Sequence, residues 1–373
     1  MPVSYSCETT CELLTLPNNT KLIPQGAIIM KKPFVSIVIP AYNEAAILER
    51  SLKIFHQYMQ GVEDRYDWEI IIVNDGSSDA TGKLADAFAL EHRNITVVHH
   101  RINRNLGGAL KTGFKNSRGD YIVTMDMDLS YSPDHIEKLL NTLLETGADV
   151  VIASPYMKEG RVTNVPFLRK ILSKMVNRYM SLTSQDRFYT FTSMVRAYNA
   201  EFLHSLNLKG RGYEVNPEII YKSVILRAHI VEVPAHLDWS FQNTEGKKRT
   251  SGLRVIQGVF SGLMSGFIFR PYIFFLVIGF ALLIVAAYIG IWIIFNTYSM
   301  YPDIPPGQYF DDRFSNAVAA LFMKRPHAFL VGGFTLVVAL QFLSMGFLSL
   351  QNKRYFEELF HINTTVFKQL RSK

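Results

Sequence analysis

The chain has 373 residues, 48% of them hydrophobic, with 39 Lys plus Arg against 32 Asp plus Glu. That is enough for one α/β domain of ordinary size plus a further module, and it excludes a low-complexity or disordered chain. The net charge of +7 does not argue for nucleic acid, because many of the bases flank apolar runs; anionic lipid headgroups and phosphate ligands account for them, and no nucleic-acid partner is expected.

Residues 1–33 read as a flexible N-terminal extension. They are polar, contain Pro17 and Pro24, and lack the basic start and unbroken apolar core of a signal peptide. Cys7 and Cys11 both lie there. With no second pair to complete a zinc site and no other cysteine to bridge to, they carry no expected structural role, and a cytosolic setting fits.

Residues 34–250 read as a single α/β domain. Phe34 to Pro40, Trp68 to Val73, Ile95 to His99 and Tyr121 to Met125 are short β-rich runs separated by helical patterns, which predicts a mainly parallel sheet with helices on both faces. In such sheets ligands collect at the carboxyl ends of strands. The first run ends in Pro40-Ala41-Tyr42-Asn43-Glu44 and the second in Asn74-Asp75-Gly76-Ser77-Ser78-Asp79. Both turns carry hydrogen-bond acceptors suited to a base and a ribose, although such residues also serve as plain helix caps. Asn103 to Ala109 resembles a glycine-rich anion loop without the Lys-Ser/Thr ending of a P-loop, so an ordinary helix entry stays open beside it.

The fourth run leads into Asp126-Met127-Asp128. Alternate residues of an extended stretch point the same way, so these two carboxylates can share a hard divalent cation with a diphosphate. A lone motif of this kind is usually a solvated turn; three acidic strand ends in succession favour a site.

Over 166–182 the pairs Phe167/Leu168, Ile171/Leu172, Met175/Val176 and Tyr179/Met180 recur every four residues, while Arg169, Lys170, Lys174 and Arg178 take the opposite face. This predicts a basic amphipathic helix lying among headgroups, with a helix that covers the sheet as the alternative. Residues 251–270 form a second interfacial stretch, preceded by Lys247, Lys248 and Arg249. Spans of about 20 apolar residues cross a bilayer as helices, and 271–295 and 326–350 meet that requirement, the first without a charged residue. A tail, 351–373, then shares a compartment with the α/β domain. Bases crowd that side, which places the domain in the cytoplasm by the positive-inside rule and makes the chain a multi-pass protein of the cell membrane.

The ordered segments SIVIPAYNE, VNDGSSDAT, NRNLGGALKTGF and DYIVTMDMDLSYSPDHI resemble the signatures of the GT-A type family 2 glycosyltransferases. The nearest likeness is to the group of dolichyl-phosphate mannose synthases and polyisoprenyl-phosphate glucosyltransferases, over 34–350. The resemblance implies a Rossmann-like GT-A sheet domain with interfacial helices and two C-terminal spans. It implies metal-dependent, inverting transfer of mannose or glucose from a nucleotide-sugar, GDP-mannose or UDP-glucose, to polyprenyl or dolichyl phosphate at the cytoplasmic membrane face. By the same resemblance Pro40, Tyr42, Glu44 and Asp75 line the nucleotide pocket, and Asp126 and Asp128 hold the diphosphate and Mg²⁺ or Mn²⁺. Arg169 and Ser173 stand near the lipid phosphate, and Lys248 and Arg249 belong to a basic loop over the diphosphate, with a juxtamembrane cluster that only touches lipid headgroups as the alternative. Homo-oligomers built through the spans fit the same group. Departures are Ser130 where the family often has Gln, Pro155 in place of an Arg for which Lys158 or Arg161 could substitute, and Ser193-Met194-Val195-Arg196 in place of a glycine-containing stretch. Two rival readings are a processive polysaccharide synthase, whose Gln-x-x-Arg-Trp motif is missing before the spans, and a non-catalytic membrane scaffold.

Overall fold

The computed structural model describes residues 32–183, 187–240, 271–304 and 312–371. In chain order the first elements are β1 (Phe34–Ala41), α1 (Leu48–Gln60), β2 (Asp67–Asn74), α2 (Thr81–Glu91), β3 (Ile95–His99), α3 (Leu106–Asn116), β4 (Tyr121–Thr124), α4 (Asp134–Thr146) and β5 (Val150–Ser154). They are followed by β6 (Arg161–Thr163), α5 (Phe167–Thr183), β7 (Arg196–Asn199), α6 (Ala200–Ser205), α7 (Val215–Ile225), β8 (Ile230–Pro234) and β9 (His236–Asp238).

Seven strands form one sheet in the order β3-β2-β1-β4-β7-β5-β8, and β6 pairs with β9 in a small second sheet. In the large sheet every neighbouring pair is parallel except those of β7, which runs antiparallel to both β4 and β5. Strand alternation explains the unbroken apolar runs, because both faces are covered. Val35, Ile37, Ile39, Ile70, Ile72, Val123 and Val151 pack with α1, α2 and α4. Their neighbours Val38, Ile71, Val73, Ile122, Val150 and Ile152 pack with α3, α5, α6 and α7.

Helix α3 can lie this close to the sheet because of Gly113: a Cβ built there would overlap the Cγ1 of Val38. Gly113→Ala gains ~1 kcal/mol of helix propensity, but overpacking costs ~1–3 kcal/mol. We therefore expect a lowered unfolding midpoint in detergent; a raised one would mean that α3 shifts freely.

Three further α-helices, α8 (Pro271–Met300), α9 (Arg313–Lys324) and α10 (Pro326–Arg371), and a 3-10 turn, Tyr301–Asp303, complete the described residues. α8 and α10 are long and apolar enough to cross a membrane. They pack closely where Gly279 meets Leu343 and Gly346 meets Leu276, the kind of small-residue approach that helices use in lipid. The helices run beyond the spans expected at 271–295 and 326–350. α10 continues without a break through the tail, and at ~1.5 Å per residue its 46 residues reach about 70 Å. Its distal part lies against the α/β domain, with Lys222 Nζ 5.5 Å from the ring centre of Phe360. α9, unexpected from sequence, is amphipathic; Asn316, Ala317 and Leu321 are buried, and Asp312 caps it by accepting from the Ser315 N–H at 2.7 Å.

Candidate active site

β1 has β2 on one side and β4 on the other, so strand order reverses there, and in such sheets ligands bind at the carboxyl ends of the strands. The register places Ala41 beside Asn74 and Val38 beside Thr124. The turns that follow β1, β2 and β4 are consequently neighbours, as the sequence motifs require.

The first two turns are laced together. Asn43, at φ 56°, donates its N–H to Ser77 Oγ at 3.0 Å and accepts at Oδ1 from the Ser78 N–H at 2.8 Å. Glu44 N–H donates to Thr81 Oγ1 at 2.8 Å, and Ala45 N–H to Asp79 Oδ2 at 3.2 Å. The Asp79 carboxyl feels opposing influences: burial raises its pKa, but donation from the Thr81 hydroxyl, the Thr81 and Ala45 N–H groups and its own backbone holds it below the ordinary value. Asp79 is thus a structural acceptor, whereas Tyr42 is left 47% exposed.

Asp75 is buried, and its Oδ1 already takes His100 Nδ1 at 2.6 Å and the Arg104 N–H at 2.8 Å. His100 Nε2 lies 2.8 Å from Thr112 Oγ1, which anchors the ring to α3. The expected nucleotide-binding aspartate is therefore also the clamp that joins the β2 turn to the loop before α3. In the first turn of α3 the glycines serve packing. A Cβ on Gly107 would sit 2.6 Å from the Gly210 carbonyl oxygen, and the Gly108 N–H donates to the Arg211 carbonyl at 3.1 Å. The helix-entry alternative fits this arrangement better than an anion loop does.

The carboxylate pair is brought together differently from expectation. β4 ends at Thr124, and Asp126-Met127-Asp128 lies in the turn beyond it, closed by Leu129 at φ 54°. Convergence comes from that turn and not from strand alternation. Ser130 holds both acids: its N–H donates to Asp128 Oδ1 at 3.0 Å, and its hydroxyl to Asp126 Oδ2 at 3.4 Å. Burial first, then the charges of Asp128 and Glu44, push the Asp126 carboxyl up to about 8 despite the Ser130 hydroxyl. Two hard oxygen donors converging in one turn suit Mg²⁺ or Mn²⁺. Among the described residues no group of three or more His, Cys, Asp or Glu converges on a metal position. A cation at Asp126 and Asp128 would complete its shell with diphosphate and water.

Helix α5 approaches this turn. Its apolar stripe is divided: Val176 and Met180 are buried in the domain, while Phe167, Leu168, Ile171 and Met175 stay exposed, Phe167 by 78%. Asn177 pins the helix by accepting from the Phe191 N–H at 2.7 Å and the Thr192 N–H at 3.2 Å, and by donating to the Ser173 carbonyl at 2.9 Å. Arg169 lies with its guanidinium 4.1 Å from the ring centre of Trp239. Desolvation lowers its pKa, opposed by Tyr213, Asp128 and Tyr156, which are all within electrostatic reach. Tyr156 is raised by burial and stabilised in the other direction by Ser173 and then Arg169. Arg169, Ser173 and the acidic turn are thereby assembled on one side of the domain.

Other expected residues stand elsewhere. Lys158 and Arg161 are exposed, Arg161 in β6 opposite His236. Arg196 is wholly buried and donates to the Asn216 and Phe191 carbonyls, both at 2.8 Å. Lys248 and Arg249, with the rest of the basic loop and the 251–270 stretch, lie outside the described residues. Tyr156, Asn177, His100 and Trp239 were not picked out from sequence, because single Tyr, Asn, His and Trp residues outside any motif carry no local signal.

Residues 36–205 match the model of the family described as Glycosyl transferase family 2. Among curated relatives, the "Polyprenol monophosphomannose synthase" of Mycolicibacterium smegmatis is 32% identical over 232 residues, 60% of this chain and 83% of that protein. The "Undecaprenyl-phosphate mannosyltransferase" of Micrococcus luteus is 31% identical over 206 residues, covering 54% and 82% respectively. The "Dolichol-phosphate mannosyltransferase" of Pyrococcus furiosus is 33% identical over 203 residues, 54% of this chain and 55% of its own length. The chain thus spans about half the length of this last relative.

Proposed function

We propose that this chain, which belongs to glycosyl transferase family 2, transfers a hexose from a nucleotide-sugar to the phosphate of a polyprenyl lipid at the cytoplasmic face of a membrane. The observation that carries the reading is the convergence of the Asp126/Asp128 turn with Arg169 on a helix whose apolar stripe is exposed. A donor with a diphosphate meets the acidic turn, while an acceptor with a long apolar tail and a phosphate head meets Arg169, Ser173 and the stripe. Mannose is the first sugar to try, since three relatives carry it in their names; glucose is the alternative.

Pro40, Tyr42, Glu44 and Asp75 take the nucleoside side of the site, and Asp126 and Asp128 hold the cation. Bound there, Mg²⁺ or Mn²⁺ supplies positive charge against the departing nucleoside diphosphate. A phosphate monoester is already ionised near neutral pH, so its oxygen attacks the anomeric carbon without a strong general base. The bond to the diphosphate oxygen breaks as the new one forms, which inverts the anomeric centre. The chain's own contribution is orientation and charge: Arg169 steadies the attacking phosphate, and the turn fixes the pair that faces the leaving group. Residues 34–250 form the catalytic domain in this reading, 271–295 and 326–350 anchor it, and assembly of several copies through the spans remains open to cross-linking.

The test is incubation of the purified protein with polyprenyl phosphate in detergent and a panel of radiolabelled nucleotide-sugars, with Mg²⁺, with Mn²⁺ and with chelator. A labelled lipid from one donor, lost on chelation, is the expected result. No product from any donor despite nucleotide binding would favour a polysaccharide synthase or a non-catalytic scaffold instead.

A further inference from the structure

Trp239 stands where two separate parts of the site meet. It follows β9, whose three residues pair in register with β6, Arg161 with His236 through Thr163 with Asp238. The Asp238 N–H donates to the Ser130 carbonyl at 2.9 Å, which ties this strand directly to the turn carrying Asp126 and Asp128. Asn164 Nδ2 donates to Asp238 Oδ1 at 2.7 Å, and the Trp239 N–H donates to the Thr163 carbonyl at 3.3 Å, so the backbone on both sides of the indole is held. From that fixed place the Trp239 ring lies 4.1 Å from the guanidinium carbon of Arg169. A cation over an indole face at this range is attracted by the ring's quadrupole, and Trp is the strongest aromatic partner.

We infer that Trp239 is a positioning residue that fixes the Arg169 guanidinium relative to the acidic turn, and so sets the place of the acceptor's phosphate. The inference rests on the function proposed above. Arg169 has a long, flexible side chain, and α5 presents it from an exposed edge with Phe167 and Leu168 open beside it. Without the indole, the guanidinium would be drawn toward the Asp128 carboxylate within its electrostatic reach, and a phosphate arriving from the lipid side would find it displaced. With the indole, the cation is held by a neutral surface that leaves its N–H edges free for an anion. Because β9 is bonded to the Ser130 carbonyl, donor turn and acceptor cation share one rigid reference.

The test compares Trp239→Leu and Trp239→Phe with the wild type by steady-state kinetics, varying polyprenyl phosphate and the nucleotide-sugar separately. We expect Trp239→Leu to raise KM for the lipid phosphate by roughly 2- to 30-fold, the range that a cation–π contact converts to, with KM for the nucleotide-sugar unchanged. Trp239→Phe, which retains an aromatic face, should recover most of the loss. In an Arg169→Ala background Trp239→Leu should add nothing further. Equal losses in both KM values, failure of Phe to rescue, or full additivity with Arg169→Ala would each assign Trp239 to packing alone and overturn the inference. A wild type without transferase activity would refute the function reading itself; an active wild type matched by Trp239→Leu would refute only the role of the indole.

Discussion

Asp128→Ala is expected to lower hexose transfer by about 10²- to 10³-fold while leaving the fold intact or slightly more stable. The two effects have one cause. In the free protein the pair is held together by the turn and by Ser130, with Asp126 raised by burial and by the charge of Asp128. Removing Asp128 relieves that repulsion, so the melting temperature holds or rises even as the cation loses half of its protein ligands. A structural carboxylate would behave in the opposite way, since Asp79 is lowered by the donors that close its turn and its loss would cost stability. The measurement is transfer rate together with thermal melting in detergent, for the variant and for the wild type. Full activity would remove the metal assignment; lost activity with a collapsed melting temperature would show that Asp128 supports the fold instead.

The sequence made the sheet and the order of the site legible because their signals are local. A run such as Ile70-Ile71-Ile72-Val73 has apolar residues for both faces, and the structure uses alternate members of it in the two cores. The turns after β1, β2 and β4 were recognisable because Asp, Asn and Gly accumulate where the chain must turn and accept hydrogen bonds. Contributions that depend on long-range closure were illegible. β7 enters the sheet antiparallel between β4 and β5, and nothing in Arg196-Ala197-Tyr198-Asn199 announces that direction. The clamp of Asp75 by His100 joins residues 25 apart, and the Asp238 bond to the Ser130 carbonyl joins residues more distant still.

The periodicity of 166–182 was read correctly as amphipathic, but a helix that touches both a domain and a solvent-facing edge needs three faces, not two. Val176 and Met180 go inward while Phe167, Leu168, Ile171 and Met175 remain outside. Pattern alone cannot divide an apolar stripe between a buried and an exposed part, because both carry the same side chains. The carboxylate pair gives a similar lesson. Spacing indicated that Asp126 and Asp128 would converge, yet the strand stops at Thr124 and a left-handed Leu129 does the work. Leucine rarely adopts that conformation, so the strain there is consistent with a turn shaped for its ligand.

Cation affinity should rise about tenfold per pH unit through the neutral range and level off above about pH 8. With no cation bound, burial and the neighbouring charges keep a proton on Asp126 up to about 8, against an ordinary value of 3.8. A divalent ion requires both carboxylates ionised, so each ion that binds in this window displaces close to one proton. The sign for stability follows. The folded pKa lies above the unfolded one, so the unfolded chain binds fewer protons, and the cation-free protein loses stability as pH rises from about 4 toward about 8. A saturating cation removes this slope by keeping the pair ionised on both sides of the window. Isothermal calorimetry with Mn²⁺ in buffers of different ionisation enthalpy counts the released proton, and melting against pH with and without Mn²⁺ reads the slope. Affinity that stays flat between about pH 6 and about pH 8 would mean that the pair is already ionised when free. Arg169, which is within electrostatic reach of Asp128, is then the first group to test as the one that keeps it so.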